Sequence, residues 1–262
     1  MKQLTAPKIR SMKGKEKLAT LTAYDYFTAK YLDSAGVELL LVGDSVNMVI
    51  YGEKTTLTAT IEMMCYHTKA VAAGANRAFV VSDMPFLSYH ISDEEAIRNA
   101  GRLIQAGAGA VKLEGGTEVA PLIKKMIYAG IPVMGHIGMQ PQSVNVVGGY
   151  RTMGIKADDE KHLIESAKAL EEAGCFSVVL EKIKPETARL ITESVSIPTI
   201  GIGAGPDCDG QILVINDILG LYDEFKPAFV RLYADMKTTM IDAVKHYIDD
   251  VKSGSYPNEE EK

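Results

Sequence analysis

The chain has 262 residues, of which 47% are hydrophobic, so it can bury a large core. Its formal net charge of −6 argues against nucleic acid as a partner, because proteins that bind polyanions concentrate positive charge. The basic N-terminus lacks the apolar segment of a signal peptide, and no apolar run approaches the roughly 20 residues that span a bilayer. We therefore expect a cytoplasmic protein with no membrane partner.

The cysteines carry no recognisable chemistry. Cys65, Cys175 and Cys208 are odd in number, widely spaced and form no Cys-x-x-Cys pair. That pattern argues against a disulfide framework and against a zinc site. Cys175 lies in an apolar run, where it is more simply read as a small buried residue than as a nucleophile.

Short apolar runs recur along the chain, most of them directly after a helical pattern. A first candidate strand covers residues 17–25, and then a helical pattern ends five times at Ala-Gly before a run rich in Val, Ile and Leu. Glycine commonly ends a helix because it adopts the left-handed conformation without strain. Runs of this length and composition are typical of strands buried on both faces. The five glycines are Gly36, Gly74, Gly107, Gly130 and Gly174.

Helical patterns separate most of these runs. Ser92 and Glu95 form a capping box, residues 158–174 are amphipathic with an acidic first turn, and residues 184–195 start beside Pro185. Residues 197–205 and 211–220 are the last two candidate strands, and residues 222–251 suggest two terminal helices.

Eight strand candidates in a chain of this length predict an α/β fold, a single-domain (β/α)₈ TIM barrel with C-terminal helices. A doubly wound open sheet is the alternative. We expect a catalytic domain over residues 1–253 and a flexible acidic tail over residues 254–262.

A polar residue follows each Ala-Gly glycine by six to nine positions. Taken singly, an acid at a strand end is most simply a helix cap or a turn residue. Together these residues would form a ring at the carboxyl ends of the barrel strands, where barrel enzymes carry their chemistry. The five are Asp44, Asp83, Glu114, His136 and Glu181.

Strand alternation places Lys112 and Glu114 on one face, towards the barrel axis. A structural ion pair would explain them, and so would a site for an anionic substrate. Crowded carboxylates at Asp44, Asp83 and Glu114 must take up protons or share a cation, and oxygen ligands suit Mg²⁺. Glu181 follows an apolar run, and partial burial there would suit a general base.

Several motifs resemble those of the ketopantoate hydroxymethyltransferase family, in order along nearly the whole chain. Only loop positions depart from the family pattern, notably Asn47 and Met139. The motifs are LTAYD (21–25), VGDS (42–45), SDMPF (82–86), VKLEGG (111–116), GHIGMQPQSV (135–144), GGY (148–150) and GIGAGPDCDGQILV (201–214).

The resemblance implies a (β/α)₈ barrel that uses one Mg²⁺ per subunit and 5,10-methylenetetrahydrofolate to hydroxymethylate 3-methyl-2-oxobutanoate through an enolate that the metal stabilises. It implies that Asp44, Asp83 and Glu114 bind the metal, Glu114 through water, and that Glu181 is the base. Substrate contacts would come from Asp44 and Asp83 again and from Ser45, Lys112 and His136. No folate-contacting residue is assigned. The resemblance also implies a homodecamer, a pentamer of dimers.

Two rival functions remain open at this stage. One is another Mg²⁺-dependent enolate-forming barrel of the phosphoenolpyruvate mutase and isocitrate lyase type, although no cysteine follows a suitable strand as a lyase would need. The other is a barrel without activity that serves as a binding scaffold.

Overall fold

A computed structural model describes residues 3–224 and 227–261. Residues 1–2, 225–226 and 262, which fall within the predicted domain and tail, lie outside the described residues. The chain divides into two compact units, a larger one that ends at Leu213 and a smaller one that begins at Val214. The predicted boundary after residue 253 stays a prediction.

The larger unit contains a closed barrel of parallel strands. Each strand pairs with its neighbours in chain order, and the last strand pairs with the first. The (β/α)₈ barrel is therefore confirmed, and the open-sheet alternative is wrong. The strands are β1 (Leu18–Thr22), β2 (Leu39–Val42), β3 (Phe79–Asp83), β4 (Ala110–Lys112), β5 (Val133–Gly138), β6 (Ser177–Glu181), β7 (Thr199–Ile202) and β8 (Gly210–Leu213).

Helices connect most of the strands, but residues 203–209 join β7 to β8 without one. In the larger unit the helices are α1 (Ala6–Arg10), α2 (Tyr26–Ala35), α3 (Val46–Val49), α4 (Ile61–Gly74), α5 (Asp93–Gln105), α6 (Ala120–Tyr128), α7 (Val144–Val147), α8 (Ala157–Ala173) and α9 (Pro185–Ser194). Those of the smaller unit are α10 (Ile215–Ile218) and α11 (Met236–Ser253). No helix in the described part of the chain is both long and apolar enough to span a membrane.

Apolar side chains fill the amino-terminal end of the barrel. Phe79 and Phe176 meet edge to face there, with ring centroids 5.6 Å apart. Ile9 of α1 and Met12, just after that helix, belong to the same buried cluster, so α1 closes this end. Each large apolar side chain buried in this way stabilises the fold by roughly 1.5–3 kcal/mol.

The barrel interior changes from apolar to charged along four neighbouring strands. Because side chains two residues apart share a face of a strand, each charged group continues a row that begins in the apolar cluster. This alternation is what brings the charged groups to the mouth of the barrel. The pairs are Val81 and Asp83, Ala110 and Lys112, Met134 and His136, and Val179 and Glu181.

The predicted helix signals are confirmed with one exception. Ser92 accepts a hydrogen bond from the backbone N–H of Glu95, and Gly36 and Gly174 end their helices with positive φ. Gly74 instead stays helical, so its expected left-handed role is wrong. A Cβ at Gly74 would lie 2.3 Å from the carbonyl oxygen of Tyr26, so this glycine permits α2 and α4 to approach closely.

Two expectations for the end of the chain are wrong. The strand predicted over residues 211–220 stops at Leu213, because residues 215–218 form α10 and contain Asn and Asp, which strands disfavour. Among the described residues between 222 and 251 there is one helix rather than two. Asp235 fixes its start by accepting a hydrogen bond from the backbone N–H of Thr238 at 3.0 Å.

Candidate active site

Asp44 and Ser45 lie directly after β2, where Gly43 leaves room for them. A Cβ at Gly43 would lie 2.7 Å from Oγ of Ser45. The Asp44 side chain is buried, and its backbone N–H donates to Oδ2 of Asp83 at 3.1 Å. Oγ of Ser45 lies 2.8 Å from the hydroxyl of Tyr24. The ends of β2 and β3 are thus tied together at the mouth.

Lys112 connects two members of the predicted ring. Its Nζ lies 2.8 Å from Oδ1 of Asp83 and 3.2 Å from Nδ1 of His136, and all three side chains are buried. Burial alone would lower the pKa of Lys112, but the neighbouring carboxylates, chiefly Asp83, raise it. Lys112 is therefore an ammonium that donates to Nδ1 of His136, so the predicted inward direction of Lys112 is confirmed.

His136 stands between Lys112 and Glu181. Burial and then the charge of Lys112 lower the pKa of His136, so the ring is neutral. With Nδ1 accepting from Lys112, the proton resides on Nε2. Nε2 lies 3.4 Å from Oε2 of Glu181, and Nδ1 lies 3.5 Å from Oε1 of Glu114. The Nε2–H of His136 therefore lies beside Glu181 without forming a hydrogen bond to it.

Negative charge dominates this mouth, because four carboxyl groups face one ammonium. Burial, and then the charge of Asp83, raise the pKa of Asp44 to about 7. Burial also raises the pKa of Glu114 well above its usual value, against the attraction of Lys112. The ring predicted from the Ala-Gly spacing is brought together, and its charge is not balanced by the described residues around it.

Gln142 and Tyr89 belong to the site, but the sequence analysis did not select them. Both are buried. Gln142 donates from Nε2 to Oδ2 of Asp44 at 2.9 Å, and its backbone N–H donates to Oε2 of Glu114 at 3.1 Å. The Tyr89 hydroxyl donates to Oε1 of Gln142 at 2.9 Å. Gln142 falls within the GHIGMQPQSV motif, which was the one signal that could have identified it.

The two departures from the family pattern have structural roles nearby. Asn47 donates from Nδ2 to the carbonyl oxygen of Thr55 at 2.8 Å and to Oγ1 of Thr58 at 2.7 Å. It therefore fixes the segment that follows α3. Met139 is fully buried just after β5. The backbone N–H groups of Asn47 and Met139 also donate to the carbonyl oxygens of Asp44 and Glu181, at 3.0 Å and 2.8 Å, so both residues are tied to the mouth.

Metal binding at this site must be judged from the donor atoms. Among the residues that the structure describes, no three His, Cys, Asp or Glu side chains are arranged to hold a metal ion. Asp83 is paired with Lys112, and Glu114 receives the Gln142 N–H, whereas Oδ1 of Asp44 makes no hydrogen bond or ion pair with described residues. Oxygen donors from one or two carboxylates, completed by water and substrate, still fit Mg²⁺.

None of the three cysteines takes part in this cluster. All are free thiols, Cys175 and Cys208 are buried, and Cys65 lies on α4. Burial raises the pKa of Cys175 to about 12, which makes it a poor nucleophile. The structural reading of Cys175 is confirmed.

Solved barrel enzymes of low sequence identity are similar to this chain in fold. A 2,3-dimethylmalate lyase of the PEP mutase/isocitrate lyase superfamily matches with a TM-score of 0.62 and 16% identity, over 98% of this chain and 90% of that one. A phosphonopyruvate hydrolase solved with oxalate and Mg²⁺ matches with a TM-score of 0.63 and 13% identity, over 98% and 93%. At these identities the likeness establishes the fold alone.

Comparisons of sequence are far closer. Relatives described as 3-methyl-2-oxobutanoate hydroxymethyltransferase include those of Syntrophobacter fumaroxidans, 53% identical over 98% of this chain and 92% of the relative, and Caldicellulosiruptor saccharolyticus, 55% identical over 96% and 95%. The relative from Pyrococcus abyssi is 52% identical over 99% and 92%. The family model for ketopantoate hydroxymethyltransferase matches residues 3–259. With this match and these identities, the chain belongs to the ketopantoate hydroxymethyltransferase family of enzymes.

Proposed function

We propose that this enzyme transfers a hydroxymethyl group from 5,10-methylenetetrahydrofolate to 3-methyl-2-oxobutanoate. The product would be 2-dehydropantoate, at the first step of pantothenate and coenzyme A biosynthesis, with one water consumed and tetrahydrofolate released. Family membership supports the reaction. The observation that carries the chemistry is the contact of Glu181 with His136, beside the buried Asp83–Lys112 ion pair at the barrel mouth.

A divalent cation, Mg²⁺, would complete this site. Asp44 and Asp83 would hold it, and Glu114 would contribute through water. Two features support this assignment. Four carboxyl groups face one ammonium, and burial, followed by the charge of Asp83, raises the pKa of Asp44. When bound, the ion would supply Lewis-acid polarisation of the keto acid.

Glu181 is the base in this proposal. It removes the C3 proton of the keto acid, which is acidified by the adjacent ketone, and an enolate results. The side chain keeps 17% of its surface exposed, so a substrate at the mouth can reach it. Nε2 of His136 lies 3.4 Å from Oε2 of this carboxylate. Water would cleave the two C–N bonds that hold the one-carbon unit to the folate, which releases tetrahydrofolate. The enolate carbon would then bond to the resulting formaldehyde carbon, whose oxygen takes up a proton and becomes the new hydroxyl group.

The remaining predicted contacts would position the keto acid. Lys112 would offset its carboxylate charge, and the Nζ of Lys112 is held in place by Asp83. Ser45 is half-buried beside Tyr24 at the same end of the barrel and would donate to a substrate oxygen. Both contacts stay proposals together with the roles of Asp44, Asp83 and His136.

An assay of 3-methyl-2-oxobutanoate consumption, with and without Mg²⁺ and methylenetetrahydrofolate, tests the function. We expect 2-dehydropantoate to form only when both are present. Exchange of the C3 proton with deuterium should need the metal but not the folate. Folate-independent turnover of a C–C or C–P substrate would instead favour the lyase and mutase alternative, and a lack of metal-dependent keto-acid binding would favour a scaffold.

A homo-oligomer in the cytoplasm completes the proposal, and the family resemblance implies a decamer. The exposed apolar stripe of α11 supports self-association. It consists of Met240, Val244, Tyr247 and Val251, each between 46% and 57% exposed. A contiguous exposed apolar stripe of this kind commonly marks a surface that contacts another protein.

A further inference from the structure

Gln142 is a buried amide whose polar atoms are all used. Nε2 donates to Oδ2 of Asp44 at 2.9 Å and to the carbonyl oxygen of Met84 at 3.0 Å. Oε1 accepts from the hydroxyl of Tyr89 at 2.9 Å. Two acceptors face the nitrogen and a hydroxyl faces the oxygen, so the orientation of the amide is fixed.

Tyr89 and Gln142 together also hold the backbone and side chain of Glu114. The backbone N–H of Glu114 donates to the Tyr89 hydroxyl at 3.2 Å, and the backbone N–H of Gln142 donates to Oε2 of Glu114 at 3.1 Å. Gln142 lies in the single 3₁₀ turn Pro141–Ser143 after β5. One residue of this turn therefore contacts carboxylates that follow β2 and β4.

We propose that Gln142, oriented by Tyr89, is a positioning residue that decides which oxygens of Asp44 and Glu114 face the metal and the keto acid. Gln142 occupies Oδ2 of Asp44 and leaves Oδ1 without a hydrogen bond or ion pair among the described residues. A carboxylate held at one oxygen cannot rotate freely, so its other oxygen keeps its direction. The inference rests on the proposed function, because it assigns Asp44 and Glu114 to a metal site.

The donor character of the amide is essential to this role. A glutamate at position 142 would be nearly the same size, but it would place an oxygen against Asp44 and the Met84 carbonyl. Both of those groups are acceptors, so two hydrogen bonds would be lost and a further negative charge added. A methionine would keep the volume and remove the donors without adding charge.

Binding of Mg²⁺, and of Mn²⁺ as a spectroscopic probe, should be measured on the full chain by calorimetry and electron paramagnetic resonance. We expect the metal dissociation constant to rise about 10–100-fold in Gln142→Met, and more in Gln142→Glu, since partners of metal ligands commonly contribute that much. Tyr89→Phe should raise it less, because it releases the amide oxygen and the backbone N–H of Glu114 but leaves Gln142 as a donor to Asp44. Gln140→Met is the matched control, because among the described residues Oε1 of Gln140 accepts a hydrogen bond from Ser143 and from no member of the site. This variant should bind metal normally.

Circular dichroism melting separates positioning from folding. Weaker metal binding in a variant that melts near the wild-type temperature supports the inference. Unchanged metal affinity in Gln142→Met would overturn it. If Gln142→Met does not fold, Tyr89→Phe decides in the same way, because it leaves Gln142 in place.

Metal-dependent deuterium exchange at C3 by the wild-type protein separates a failure of the proposed function from a failure of the positioning role of Gln142. If the wild type shows neither exchange nor metal binding, the proposed function fails. If the wild type shows both and the Gln142 and Tyr89 variants match it, the positioning role alone fails.

Discussion

Lys112 and His136 lie on adjacent strands with Nζ of the lysine 3.2 Å from Nδ1 of the histidine. Because the lysine is charged, this contact fixes the histidine in the tautomer that carries its proton on Nε2. That proton faces Glu181. The ammonium that pairs with Asp83 on one side thus determines which tautomer of His136 faces the proposed base on the other.

Substituting Glu181→Gln should abolish proton abstraction and leave binding intact. The amide is nearly isosteric but cannot accept the C3 proton, so we expect kcat to fall about 10²–10⁴-fold. Deuterium exchange at C3, followed by NMR, should disappear, while calorimetry should show normal Mg²⁺ and keto-acid binding. Glu186→Gln on α9 removes an exposed carboxylate instead and should have no effect. Normal exchange in Glu181→Gln would exclude this residue as the base.

Replacing Lys112 with methionine should destabilise the barrel as well as weaken keto-acid binding. It leaves Asp83 buried without its partner, which typically costs roughly 3–5 kcal/mol. Adding Asp83→Asn to that variant should restore much of the free energy of unfolding, because the orphaned charge is removed. Urea unfolding of both variants measures this. A double variant no more stable than Lys112→Met would show that the lysine acts through packing.

Asp217→Asn should stabilise the protein above about pH 6. Burial raises the pKa of Asp217 to about 6, so the folded state holds this proton more tightly than the unfolded chain. The resulting contribution to stability is present below the unfolded pKa and is lost as the pH rises through about 6. The asparagine variant avoids that loss, by about 1 kcal/mol because the group is only partly buried. A stability difference that does not change between about pH 4 and pH 8 would contradict this cause.

Val244→Glu should reduce the oligomeric mass measured by light scattering. The substitution introduces a charge into the middle of the apolar stripe of α11, which is costly to bury in an interface. Lys245→Glu changes charge at the next position, outside the stripe, and serves as the control. If both variants keep the wild-type mass, the stripe does not mediate assembly.

Much of the site followed from local patterns. The distance from the preceding Ala-Gly placed Asp83, His136 and Glu181 at the strand ends, and alternation aimed Lys112 at the barrel axis. Asp44 lies beyond the turn at Gly43, yet its distance from the preceding Ala-Gly still placed it at the mouth. The period of a strand and the glycine that ends a helix are both encoded by neighbouring residues. The positions of these site residues could therefore be predicted from the sequence.

Other features depend on contacts that no period encodes. Gln142 lies in a 3₁₀ turn and Tyr89 in a connecting segment, so their meeting is decided by how two loops fold over β3 and β4. Gly74 looked like a helix stop, but the approach of α2 explains it better. The strand expected through Asp217 was overestimated because its apolar residues suit either a strand or a short helix.

The apolar cluster at the amino-terminal end of the barrel, which α1 closes, determines how substrates and protons can reach the site. In the part of the chain that the structure describes, Ile9 and Met12 seal the end opposite the charged groups. Substrates and protons would then both enter and leave through the mouth of the barrel, beside Glu181. A folate bound at the mouth would lie between Glu181 and bulk water. Exchange of the abstracted proton with water should therefore slow while the folate is bound.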